Sequence, residues 1–286
     1  THFEIDFLLG QQGDERVGNS FSPRIRHASL SWDRWTVGQT WTNFFNVSSL
    51  PEYLDFIGPV GTTFARQAQV RYTAPRENGS WVLSLEKPET TLTPYLGGSR
   101  IDADDNSLPD LIVRRNWTGD WGNVSVAAMV RELKIDDGVL DDAATGAALG
   151  VAGKLNVGER DDFRWQVNAG NALGRYLGLN AFNAGAIDAG GEIDLTSQYG
   201  VFAAYRHVWN DKLYSSFGAS FARADNDTSI SLTAVPESYQ SAHFNIIWSP
   251  AKRMLLGAEY IWGHREDESG DDGTLNRLQF SAKYVY

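Results

Sequence analysis

The five histidines, His2, His27, His207, His243 and His264, are scattered, with neither HExxH nor any other paired metal spacing. No GxSxG or P-loop motif occurs, and the glycine pairs 146/150 and 170/174 lie outside any βαβ context. His243 lies near a serine, but nothing else around it supports catalysis. Cysteine is absent, which removes disulfides, thiolate nucleophiles and cysteine-ligated metals. The sequence therefore predicts neither an enzyme nor a resident cofactor. The acidic runs DADD (102–105) and DESGDD (267–272) offer the hard oxygens that suit Ca2+ but lack EF-hand spacing, so solvated loop surface is the plainer reading. What remains is a set of arginines inside strand-like segments: Arg66, Arg71, Arg114, Arg131, Arg164 and Arg206. A guanidinium keeps its charge at physiological pH and presents a fixed fork that matches a carboxylate. Several of them at one depth of a channel would favour anionic solutes.

The elements that must position these arginines are strands. Period-two alternation recurs through the chain, as in WTVGQTW (35–41), FARQAQVRYT (64–73), FRWQVNAGN (163–171), YGVFAAYRHVW (199–209) and NRLQFSAKYVY (276–286). About fourteen strands are legible, and no long stretch has a helical period. In 64–73, Ala68, Val70 and Tyr72 oppose Gln67, Gln69 and Arg71; in 163–171, Phe163, Trp165 and Val167 oppose Arg164, Gln166 and Asn168. The second face carries Gly, Ser, Gln, Asn and scattered Arg, which suits a narrow watery lumen better than the Lys- and Glu-rich outside of a soluble sandwich. Arg71, Arg114, Arg131, Arg164 and Arg206 fall on the lumen parity, and Arg66 comes just before the clean alternation, near the expected constriction. On a lipid face each would cost roughly 2–4 kcal/mol near the midplane. Arg24 and Arg26 share parity with Ala28 and Leu30, and read either as rim residues or as a break in the alternation.

Aromatics make up 12% of the chain and gather at strand ends (Trp35, Trp41, Trp81, Trp209, Trp248 and Trp262 among them), as they do at membrane interfaces. Connections divide into short turns and long acidic loops, the contrast a membrane barrel shows between its two rims. A mean hydropathy of -0.34 is compatible with this, because a barrel averages an apolar and a polar face. The formal net charge of -11 lacks the basic footprint of a general nucleic-acid binder. One long loop, about 43–63, mixes apolar and acidic residues (Asn43, Phe45, Glu52, Tyr53 and Asp55 among them) and is expected to fold inward as a constriction. There Glu52 and Asp55 would oppose the arginines across the pore. Inward arginines also have a plainer role, pairing with Glu86, Asp55 or Glu259 to hold the lumen open.

The run VGQTWTNF (37–44), the loop LPEYLDFIGPVG (50–61) and the strand FARQAQVRYT (64–73) resemble the DcaP-like family of Gram-negative porins. Support comes from GGEIDLTSQYGVFAAYRHVWNDKLYSSFG (190–218) and the aromatic end FSAKYVY. The resemblance implies a trimeric sixteen-stranded outer-membrane barrel with an inward-folded constriction loop and pore-facing arginines, favouring small anions such as dicarboxylates. By position it carries Arg66, Arg71 and the loop residues 43–61. The sequence departs in showing about fourteen strands; residues missing before Thr1, or irregular pairing of 88–101 and 181–196, would supply the difference.

The expectation is thus a single all-β domain over residues 1–286, a transmembrane antiparallel barrel acting as a diffusion channel for small hydrophilic solutes. Its partners would be outer-membrane lipids and lipopolysaccharide, two further copies in a homotrimer, small anionic solutes and the outer-membrane assembly machinery. Tyr286 would serve that machinery as a C-terminal signal. The closing strand NRLQFSAKYVY is expected to pair with the first strand, and GAALGVAG (146–153) to form a close subunit contact. A plugged structural or adhesion-type barrel, and a soluble β-rich carbohydrate-binding domain, are the alternatives.

Overall fold

The computed structural model describes residues 1–7, 23–56 and 58–285. In chain order its strands are β1 (His2–Asp6), β2 (Arg24–Trp32), β3 (Trp35–Trp41), β4 (Arg66–Arg76), β5 (Gly79–Glu86), β6 (Thr90–Thr93), β7 (Ile101–Ala103), β8 (Asp110–Gly119) and β9 (Gly122–Asp136). There follow β10 (Asp141–Val157), β11 (Asp161–Gly170), β12 (Gly185–Ile187), β13 (Ile193–Leu195), β14 (Ser197–Asn210), β15 (Leu213–Asp225), β16 (Pro236–Trp248), β17 (Met254–Asp267) and β18 (Asp272–Tyr284). Fourteen strands form one antiparallel sheet in chain order, the number legible in the sequence. The remaining four form a small sheet ordered β13-β12-β6-β7, in which β12 runs parallel to β6. Segments 88–101 and 181–196 therefore build this second sheet and add no strand to the wall.

The alternation holds as read. Val70, Val167, Val201 and Phe217 lie exposed on the outer face, while Gln67, Gln69, Gln166, Asn168 and Phe202 are buried on the inner one. The parity conflict at Arg24 and Arg26 is resolved by a β-bulge. Pairing runs Glu4↔His27 and then Ile5↔Ile25, leaving Arg26 as the extra residue. Ile25 thereby stays outside, and Arg24 and Arg26 turn inward to pair with Asp6 at 2.7 Å and Glu4 at 2.9 Å.

Three expectations need correction. First, among the described residues β1 and β18 each have one neighbour and do not pair with each other. Second, two acidic loops are mostly strand: β9 and β10 meet over residues 137–140, and β17 and β18 over 268–271. The Asp137 carboxylate closes the first turn by accepting from the N–H groups of Val139 and Leu140 at 2.9 and 2.8 Å, which holds it below the usual carboxylate range. The loop QGDERVGNS (12–20) lies outside the described residues. Third, GAALGVAG makes room for inward segments. A Cβ at Gly146 would stand 2.7 Å from Ala172, and one at Gly150 would stand 3.2 Å from the Phe44 ring.

The inner wall is apolar where other segments cover it. Leu133 and Ile135 of β9 pack with Leu92, Ala103, Ile187 and Ile193 of the small sheet. Ile112, Ala127 and Met129 pack with Phe44, Leu173, Tyr176 and Leu177 from two inward segments. These segments are residues 42–65 and 171–196. We predict that Gly150→Leu, which drives a branched side chain into Phe44, destabilises the fold by about 1–3 kcal/mol, the usual range for overpacking. The measurement is the midpoint of heat-induced loss of the folded gel band, which should fall below that of the wild type.

Candidate pore and its inward-folded segments

An irregular segment inside a lumen carries backbone N–H and C=O groups that need partners away from bulk water. Residues 42–65 contain one short 3-10 turn (Val47–Ser49), so most of their backbone lacks internal bonds. The wall supplies the partners. Glu86 accepts from Asn43 N at 2.7 Å, and Arg71 donates to the carbonyl of Trp41 and Arg114 to that of Phe45. Arg164 donates to Leu50 O at 2.6 Å, and Asn245 donates to Glu52 O at 2.8 Å. Glu259 accepts from Leu54 N at 2.6 Å and Asp55 N at 3.1 Å, while Gln279 donates to Leu54 O at 2.9 Å. Gly61 N donates to Ser220 Oγ at 2.7 Å and Thr63 N to Gln166 Oε1 at 3.3 Å. Lumen-facing glycines admit the loop's side chains: Tyr53 lies over Gly218 and Leu54 over Gly257.

This geometry sorts the predicted site residues. Arg131 is fully buried; it faces Asp110 at 3.3 Å and donates to the carbonyls of Ala172 and Glu89, so it holds the second inward segment and lines no open passage. Tyr176 of that segment donates to Asp110 at 2.7 Å. Arg71 is committed to the Trp41 carbonyl at the end of β3 and Arg114 to the loop carbonyl of Phe45, and Gln69 to Thr40 O and Trp41 O. Asn43 and Phe45 are buried under the loop. The expected pairing of arginines with Glu86 and Glu259 does not occur among the hydrogen bonds described, since both carboxylates take loop N–H groups. Tyr53 stacks on the His243 ring at 4.4 Å, and His243 Nδ1 lies 3.3 Å from Glu259.

Glu52 does not stand across the pore from the arginines; it bridges two of them. Its carboxylate lies 2.8 Å from Arg164 and 3.4 Å from Arg206. Asp162 sits beneath, 2.6 Å from Arg164, 2.8 Å from Arg206 and 3.5 Å from Lys154. Three cations around two carboxylates leave a positive excess, with Arg206 and Glu52 partly open to the lumen.

Arg66 stands apart. Its guanidinium lies 3.6 Å over the Trp41 ring, and among the described residues its buried Nε and Nη2 have no hydrogen-bond partner. The Arg24–Asp6 and Arg26–Glu4 ion pairs lie nearby, and Arg26 covers Phe56 of the loop at 5.2 Å. On the side of the lumen bounded by β16–β18, a cavity of about 520 Å3 opens between Asp55, Gly58 and Val60 of the loop and Tyr239, His243 and Ile261 of the wall. Sequence reading missed the second inward segment with Tyr176 and Arg175. The available signal was apolar residues on the lumen parity, Ile112, Ala127, Met129, Leu133 and Ile135, which a watery channel would not carry. Among the described residues no three acidic, cysteine or histidine side chains gather in a group that could hold a metal. Tyr286 lies outside the described residues.

Removing a buried partner of a charge cluster leaves the other charges uncompensated, at about 3–5 kcal/mol. Asp162→Ala should therefore release Arg164 and with it Leu50 and Glu52. The expected outcome is a raised and noisier single-channel current with a lowered thermal midpoint; an unchanged current would show that the loop is held elsewhere.

The DcaP outer membrane protein family matches residues 1–286, the whole chain. The outer membrane channel DcaP of Acinetobacter baumannii is similar in structure, with a TM-score of 0.85 at 25% identity over 99% of this chain and 79% of that one. OmpT of Vibrio cholerae shares the fold at lower likeness. Its trimer form aligns with a TM-score of 0.59 and 13% identity, covering 94% of this chain and 83% of that chain. No curated protein sequence matches. A soluble carbohydrate-binding domain is thereby set aside, and the protein is a porin-type channel of the Gram-negative outer membrane. The chain belongs to the DcaP outer membrane protein family.

Proposed function

We propose that the channel is biased toward small anions, with dicarboxylates as the class that fits best. The observation that carries this reading is the Arg66 guanidinium, held over the Trp41 ring with donor atoms that no described residue takes up. Stacking fixes the guanidinium in place, so its charge acts on a passing carboxylate through the local field. The partly open Arg206, in a cluster with a positive excess, offers a second positive point for a solute with two carboxylates. At an effective dielectric of about 20, a carboxylate 4 Å from one such charge gains about 4 kcal/mol, against about 1 in bulk water. Transport is diffusion down a gradient, biased by pore charge and by the width left beside the loop. The buried arginines Arg71, Arg114 and Arg131 serve this indirectly, by holding the segments that narrow the lumen.

The protein is further proposed to work as a homotrimer among outer-membrane lipids and lipopolysaccharide, delivered there by the outer-membrane assembly machinery. A trimer form is named for the similar OmpT of Vibrio cholerae. Reversal potentials in a salt gradient across a planar bilayer test the selectivity. The wild type should favour anions, and Arg66→Ala should move the anion/cation permeability ratio severalfold toward unity at nearly unchanged conductance. An unaltered ratio would sink the Arg66 reading, and no conductance in the wild type would favour the plugged barrel.

A further inference from the structure

The outer face of β11 and β14–β17 is stepped. One register row reads Phe163, Tyr205, Phe217, Phe244 and Tyr260, five aromatics side by side on five strands. The next row reads Trp165, Ala203, Ala219, Ala242 and Trp262. Three adjacent alanines beside a wall of aromatic rings leave an apolar groove of about 680 Å3. Phe163 is two residues from the start of β11, whereas Tyr260 is halfway along β17. The groove therefore climbs from the rim of short turns toward the middle of the membrane.

The rim beneath it is also distinctive. The turns at 33–34, 77–78, 120–121, 158–160 and 211–212 each carry an acid: Asp33, Glu77, Asp120, Glu159 and Asp211. The turn between β16 and β17, residues 249–253, carries exposed Lys252 and Arg253 and no acid. Lys212 lies on the neighbouring turn, also exposed. From Lys252 and Arg253 the outward residues Trp248, Leu256, Ile246 and Ala258 form an apolar track up to Phe244 and Tyr260. A hydrocarbon chain gains nothing by exchanging one hydrocarbon surrounding for another, so occupancy of such a groove is decided by shape and by the headgroup. An unbranched chain fits the alanine trough, and lone cations at its foot select negative charge.

We propose that this groove binds one anionic phospholipid of the leaflet on the short-turn side. Its phosphate rests on Lys252 and Arg253, and an acyl chain lies along β16 and β17 with its end in the trough over Ala219 and Ala242. Native mass spectrometry of the detergent-purified chain, titrated with phosphatidylglycerol or phosphatidylethanolamine of identical acyl chains, tests this. The wild type should retain phosphatidylglycerol about tenfold better. Lys252→Ala with Arg253→Ala should abolish that preference while leaving conductance unchanged. Ala219→Trp should fill the trough and remove the adduct with the turn intact; Ala242→Leu, a smaller change, guards against misfolding and should weaken it severalfold. Equal retention of the two lipids by the wild type would overturn the proposal. So would trough variants that break up the oligomer with lipid retention intact, since the groove would then be a subunit contact.

Discussion

Everything inside this sheet depends on satisfying the backbone of residues 42–65. A segment with few internal hydrogen bonds lies against a wall where each unpaired N–H or C=O would carry a desolvation penalty. The wall answers with side chains of matched polarity. Glu86, Glu259, Ser220 and Gln166 meet N–H groups, and Arg71, Arg114, Arg164, Asn245 and Gln279 meet carbonyls. Glycines at 150, 218 and 257 admit Phe44, Tyr53 and Leu54. The constriction is a consequence of this complementarity, since nothing in the loop's own geometry would hold it in place.

That constraint also decides which arginines are committed to protein partners. An arginine that holds a carbonyl in a buried contact contributes little field to the passage, and Arg131 beside Asp110 contributes least. Arg66 differs because its partner is a ring face, which fixes the guanidinium without occupying its donors. The Arg164–Asp162–Arg206 cluster lies between the extremes: it anchors Glu52 and leaves a positive excess at a partly open edge.

Much of this architecture is visible in the chain. Alternation is a local property of a strand, so Val70 against Gln69, or Phe163 against Arg164, can be assigned to opposite faces from neighbours alone. Fourteen wall strands and the inward loop follow from the same pattern. The break at Arg26 could be seen but not interpreted, because a bulge is defined by the partner strand. Acidic stretches such as KIDDGVLDDAATG read as loops by composition, although β9 and β10 continue through most of them as paired strands.

By itself the sequence determined the class of protein and the two faces of its strands. Tertiary structure alone decided what the inward residues meet. Whether a guanidinium faces water, a carbonyl or a carboxylate depends on which distant segment folds against it, as Ala172 does against Arg131 and Leu50 against Arg164. It also decided that segments 88–101 and 181–196 join each other in a second sheet and do not extend the wall. Those pairings are long-range contacts, and a period of two in the chain records the face a residue takes but not its neighbour across the lumen.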